Sequence, residues 1–165
     1  MCFSVGAIAV EACFTNHPGV CVGYRLSTSG GTIVYMPDNE TFSSHVLAGN
    51  GNIMPCTLES KLVEFVRDAD VLIVDGQYSA REYESHVGWG HGCVDEVIRL
   101  AMAADVRRLY LFHHDPAHDD KQLATMLAHA RQIAHSAGSA LRVDAAREGE
   151  QVALAVDAAL AVASG

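Results

Sequence analysis

Ala-Asp-Val-Leu-Ile-Val-Asp-Gly-Gln-Tyr, residues 69–78, is the stretch that decides the fold class. Val71 to Val74 form an unbroken apolar run that ends in Asp75. Such a run, short and bounded by polar and turn residues, reads as a strand buried on both faces. Arg-Leu-Tyr-Leu-Phe-His, residues 108–113, predicts a second one ending in His113. Helical patterns separate and flank the two. Leu58 to Arg67 carries Leu58, Leu62, Val63, Phe65 and Val66 on one side, with Thr57 as N-cap. Val94 to Ala104 and Asp119 to Ala137 are two more helices, the last stopped by Gly138.

Upstream the pattern changes to strands alone. Val5 to Phe14 reads as one β-branched strand. Cys21 to Leu26 and Thr32 to Tyr35 read as two more, joined by the turn Ser27-Thr-Ser-Gly-Gly31. Leu141 to Val143 and Val152 to Leu154 are short strand candidates around an Arg-Glu-Gly-Glu turn. Strands followed by alternating helix and strand predict an α/β fold with a mixed sheet, covered by helices on at least one side. Asp38 to Cys56 lacks periodicity, and a loop of that length often carries function.

The 165 residues suit one domain, residues 1–165. Half are hydrophobic, which is too many for a disordered chain. Eleven basic against twenty acidic residues leave a net charge of −9. That charge repels phosphate backbones and disfavours a broad nucleic-acid groove, although a bound metal would set its own local sign. The five cysteines are odd in number and none form a C-x-x-C pair, so neither a disulfide framework nor a zinc ribbon is indicated. No signal peptide is apparent, and the apolar run Val152 to Ala163 is too short to span a bilayer. These features predict a reduced, cytoplasmic, soluble protein.

His17, Asp38, Asp75, His113 and His114 all follow predicted strands, and His91 lies in a glycine-rich turn before a helix. The ends of strands are rigid platforms on which side chains converge, and His with Asp is the ligand set of a hydrolytic zinc, manganese or iron site. A single such residue is more often a turn or cap residue. Six such positions, five of them after strands, are harder to read that way.

The segments His17-Pro-Gly-Val-Cys-Val-Gly-Tyr-Arg-Leu, Ile33-Val-Tyr-Met-Pro-Asp38-Asn-Glu, Ala69-Asp-Val-Leu-Ile-Val-Asp75-Gly-Gln-Tyr, Gly88-Trp-Gly-His91 and Leu109-Tyr-Leu-Phe-His113-His-Asp-Pro resemble, in that order, a metallo-β-lactamase-fold hydrolase. The branch is that of ribonuclease Z and phosphodiesterase-like enzymes. The resemblance implies two metal ions, zinc or alternatively manganese or iron. It makes His17 and His113 histidine ligands and Asp38 the carboxylate that bridges the metals. His91 becomes the histidine that helps the leaving group of a scissile phosphate depart, and Asp75 the acid that orients it. His114 is the alternative ligand if the register shifts by one, but it then faces the other side of its strand. Cys93 stands where the family usually has Ser or Thr, and reads as a small buried filler. Trp89 between its glycines reads as a packing anchor. His118, Asp119 and Asp120 read as a helix start, and His45, His86, His129 and His135 as ordinary surface or helix residues.

The family's H-x-H-x-D-H motif, the source of four further ligands, does not occur in this sequence. The expected architecture is therefore the C-terminal half of the αββα sandwich, with one apolar sheet face bare. Three functions follow as expectations. One is a hydrolase of small phosphodiesters, of cyclic-nucleotide or cyclic-phosphate type, completed by a complementary N-terminal half chain. The others are a self-associating homo-oligomeric module without catalysis, and a metal-binding module. The acidic surface disfavours tRNA as substrate.

Overall fold

The computed structural model describes residues 1–41 and 57–154. Seven strands form one sheet in sequence order: β1 (Cys2–Val5), β2 (Ile8–Phe14), β3 (Val22–Thr28), β4 (Gly31–Met36), β5 (Val71–Asp75), β6 (Arg108–Phe112) and β7 (Arg142–Ala145). The first four pair antiparallel, while β4 to β7 pair parallel. Hairpins need only tight turns, whereas each parallel step needs a crossover. Three helices supply those crossovers: α1 (Thr57–Val66), α3 (Val94–Ala103) and α4 (Asp120–Ser136). A short helix, α2 (Ala80–Tyr83), sits ahead of α3. The mixed sheet and the two predicted crossover strands stand as read from the pattern.

The differences are local. The predicted strand Val5 to Phe14 is a hairpin, β1 and β2 turning at Gly6 and Ala7 with Val5 opposite Ile8. Gly6, at φ 58°, adopts the left-handed conformation that a two-residue turn of this kind needs. α1 begins at Thr57. Val152 to Leu154 is not a strand. It crosses the sheet face and lines a cavity with Ile33, Val71, Ile73 and Tyr110, so its apolar residues cover side chains instead of joining a ladder. The rest of the Val152–Ala163 run, His45, and all of the Asp38–Cys56 loop beyond Thr41 lie outside the described residues.

The core lies on one side of the sheet. Val34, Met36, Leu72, Val74, Leu109, Leu111 and Val143 point to that side and meet Leu62 and Val66 of α1, Val97 and Ile98 of α3, and Leu127 and Ala130 of α4. Arg25 also lies on this face and donates to the carbonyls of Phe65 and Arg67, closing the C-terminal end of α1 where carbonyls lack helical partners.

Among the described residues, no helix covers the opposite face. Residues in register share a face, and here they make apolar rows. One runs Phe3, Val10, Leu26, Ile33, Val71; another runs Ala12, Tyr24, Tyr35, Ile73, Tyr110. Phe3 and Tyr24 are exposed, and Ile73 and Tyr110 are half-buried. β5 is buried on both faces as read, apart from the half-buried Ile73, whereas the reading of β6 is corrected: Leu109 and Leu111 are buried on the helical side, while Arg108, Tyr110 and Phe112 on the other side are half-buried.

The sheet topology brings the chemistry together. β2, β4, β5 and β6 run in the same direction, so the residues that follow them emerge at one edge of the sheet. His17, Asp38 and His113 are among those residues, and Asp75 is the last residue of β5 at the same edge.

Candidate metal and acid–base site

Asp75 ends β5 and is wholly buried, with no accessible surface. Its Oδ1 accepts from the backbone N–H groups of Gln77 and Gly92, both at 3.0 Å. Its Oδ2 accepts from the Asn39 N–H at 3.3 Å and lies 2.7 Å from Nδ1 of His91. Burial raises the Asp75 pKa above the ordinary carboxylate value, against the hydrogen bonds from His91, Gly92 and Gln77. With both oxygens engaged, this carboxylate orients the imidazole and has no free lone pair aimed at a cation. His91 is left with Nε2 as its open nitrogen.

The loop carrying His91 approaches β5 closely. A Cβ on Gly92 would overlap the Asp75 carbonyl oxygen, so only glycine fits at 92. Tyr78 and Cys93 form a parallel bridge, with Tyr78 N–H donating to Gly92 and Val94 N–H to Tyr78. Cys93 is buried with Tyr78 and Tyr83, in keeping with its reading as a filler.

Asp38 and His113 face each other beside this pair, with His113 Nε2 3.1 Å from Asp38 Oδ1. His113 has φ 56°, a left-handed conformation uncommon for a residue with a Cβ and often found at functional sites. Its ring centroid is 4.8 Å from that of His91. One donor atom each from Asp38, Asp75, His91 and His113 lies within 4.8 Å of all the others. Two ligands of a tetrahedral zinc at about 2.0–2.1 Å stand about 3.3 Å apart, so the Asp38–His113 pair fits a divalent cation.

His17 stands beside this group rather than within it. Its ring meets that of His91 edge-on at 5.5 Å, and its Nδ1 accepts from the Gly19 N–H at 3.0 Å. In a neutral imidazole that leaves the proton on Nε2, so ligation by His17 needs the Gly19 contact to change. His114 is directed elsewhere. It lines a cavity with Leu123, Ala124 and Leu127 on the helical side, and burial lowers its pKa.

Pattern reading missed three polar residues that join the segments. Asn16 N–H donates to the Asn39 side chain, and Asn16 Nδ2 donates to the Glu40 carbonyl. Glu40 N–H donates back to Asn16. The signal for Asn39 and Glu40 was their place directly after Asp38, in a segment that carries the family resemblance. Trp89 is 58% exposed and is not the packing anchor its glycine neighbours suggested. Its ring meets His86, which in turn stacks on Tyr78 at 4.3 Å.

Glu82 forms a second polar junction. With Ser79 it makes a capping box on α2, and its Oε1 lies 2.9 Å from His118 Nε2 and 2.8 Å from Gln122 Nε2. His118 is therefore more than a residue ahead of a helix, while Asp119 caps α4 as expected. Burial opposes ionisation of Glu82, but the hydrogen bonds from Ser79 and His118 prevail and lower its pKa from 4.5 to about 2. A carboxyl with a depressed folded pKa adds stability that is fully present above its unfolded value and is lost as pH falls through the folded one. Acid unfolding followed by circular dichroism should show a loss between pH 4.5 and about 2 that Glu82→Gln flattens, while also lowering stability at neutral pH.

Residues 7–114 match the family model described as beta-lactamase superfamily domain. Ribonuclease Z of Sulfurisphaera tokodaii is 34% identical over 87 residues, which are 53% of this chain and 27% of that protein. Ribonuclease Z of Myxococcus xanthus is 34% identical over 83 residues, 50% of this chain and 26% of the relative. Among solved structures, the metallo-beta-lactamase fold protein YhfI from Bacillus subtilis superposes with a TM-score of 0.67 at 20% identity, over 91% of this chain and 51% of its own. The short form of human tRNase Z gives 0.60 at 17% identity, over 92% of this chain and 44% of its own. The chain thus spans about a quarter of the matched ribonucleases' length and about half of each of these two structures. With a family model covering most of its described core and a fold shared with these structures, the chain belongs to the beta-lactamase superfamily and has the metallo-β-lactamase fold.

Proposed function

We propose that this chain carries the acid–base half of a metal-dependent phosphodiesterase site, with a small phosphodiester as substrate. The observation that carries the reading is the buried Asp75–His91 pair, whose open Nε2 shares one sheet edge with the Asp38–His113 donors. Asp38 and His113 would hold a divalent cation, with His17 a further ligand once its ring is released from Gly19. A zinc, manganese or iron ion there supplies Lewis acidity and an acidified water at neutral pH. His91 is held by Asp75 with its Nε2 turned outward, where a protonated imidazole can give its proton to the departing alkoxide. The donors on this chain are few for a catalytic metal, which usually takes three protein ligands. We infer that a complementary half chain packs on the apolar face that the described helices leave uncovered and completes the set. A second copy on that face is the alternative, and light scattering separates the two.

The charge of −9 supports a small substrate. A second reading, RNA, is favoured by the likeness to two proteins named ribonuclease Z. Turnover of bis(p-nitrophenyl) phosphate, a cyclic nucleotide and a tRNA precursor should be compared with zinc or manganese, with and without the complementary half. His91→Ala is expected to slow the preferred substrate about 10²- to 10⁴-fold while metal content stays constant. No turnover of any of the three under any condition would overturn the enzymatic reading.

A further inference from the structure

Glu40 is a carboxylate only 7% exposed, two residues beyond Asp38. No Lys or Arg pairs with it among the described residues. Neutral donors hold it instead. Oε1 accepts from the Tyr83 hydroxyl at 2.5 Å and from the Gly88 N–H at 2.7 Å, and Oε2 accepts from the Gly90 N–H at 2.9 Å. Burying an acid on neutral partners costs stability, and an apolar residue at the same place would avoid that cost. What the acid achieves is geometric. It fastens a turn whose two glycines lie at φ 86° and φ 92°, immediately ahead of His91.

The same turn forms the wall behind His17. A Cβ on Gly90 would overlap the His17 ring and Pro18. Glu40 is itself tied through its backbone to Asn16, the residue before His17. Three segments, carrying His17, Asp38 and His91, therefore meet at one buried residue, the first through the Glu40 backbone and the last through its side chain. We propose that Glu40 is a positioning residue that sets His91 and His17 relative to Asp38 by clamping the Gly88–Gly90 turn. The catalytic consequence rests on the phosphodiesterase reading above; the clamp itself does not.

Glutamine keeps the shape of Glu40 but turns one acceptor oxygen into an NH2. Whichever way the amide faces, that NH2 opposes the N–H of Gly88 or of Gly90, and a backbone N–H cannot reverse its polarity. The test uses the full chain, with Leu62→Ala as a variant destabilised in the core away from the site. In the wild type, amide exchange at Gly88 and Gly90 should be about 10²-fold slower than in an unstructured peptide. In Glu40→Gln that protection should be lost, and the His91 ring signals in a carbon–proton spectrum should shift and broaden. Leu62→Ala should leave those ring signals in place. kcat should fall about 10²-fold in Glu40→Gln, with KM little changed, as expected for a displaced catalytic group. Unprotected Gly88 and Gly90 amides in the wild type would overturn the proposal even if the variant fails to fold. Unchanged His91 signals in a folded Glu40→Gln, or equal changes in Leu62→Ala, would overturn it as well. If the wild type hydrolyses nothing, the phosphodiesterase reading fails, and the exchange and ring signals still decide the clamp.

Discussion

Asp75→Ala is expected to destabilise the chain by roughly 3–5 kcal/mol, the usual cost of removing one partner from a buried, fully engaged charge. The cause is counted in donors. Backbone N–H groups of Asn39, Gln77 and Gly92, together with the His91 ring, converge on this one carboxylate. Removing it leaves those groups facing a cavity, each unsatisfied buried donor costing about 1–3 kcal/mol with partial relief from water entering the gap. Urea unfolding monitored by circular dichroism gives the number. Asp75→Asn is the milder probe, because one oxygen is retained. It should still release His91 from its orientation, and its activity should fall further than its stability suggests. A loss below about 1 kcal/mol in Asp75→Ala would contradict the engaged, buried anion described here.

The second large effect concerns metal content. Asp38→Ala and His113→Ala should each reduce divalent-metal affinity by more than the roughly 10- to 100-fold that loss of an outer partner costs. Stability without metal should change little, because both side chains are about one-third exposed and lie outside the core. Metal retained after dialysis, measured by elemental analysis, reads this directly. His114→Ala is the contrasting variant. It should leave metal content unchanged, since His114 lines a cavity against α4 on the helical side of the sheet. Metal loss in His114→Ala with retention in His113→Ala would reverse the assignment of the two histidines.

The contrast between His113 and His114 shows how far a one-dimensional pattern reaches. Alternation along β6 assigns the two to opposite faces, and the family resemblance prefers the first. The left-handed backbone at His113, which turns its ring toward Asp38, has no signature in the residue order. The Asp75–His91 pair was legible as a resemblance, but the three backbone donors that complete the carboxylate were not. Glu82 and His118 likewise meet only because α2 and the start of α4 pack together.

From the residue order came the strands and helices, because apolar periodicity is a property of neighbours along the chain. The order also indicated the edge where His17, Asp38, Asp75 and His113 emerge, because each follows a strand. Tertiary structure decided which of them meet. The direction of β2, β4, β5 and β6, the close approach of Gly92 and the clamp on Glu40 depend on contacts between residues up to 50 positions apart. Local propensity carries no record of such contacts, since they become favourable only after the sheet has brought the segments together.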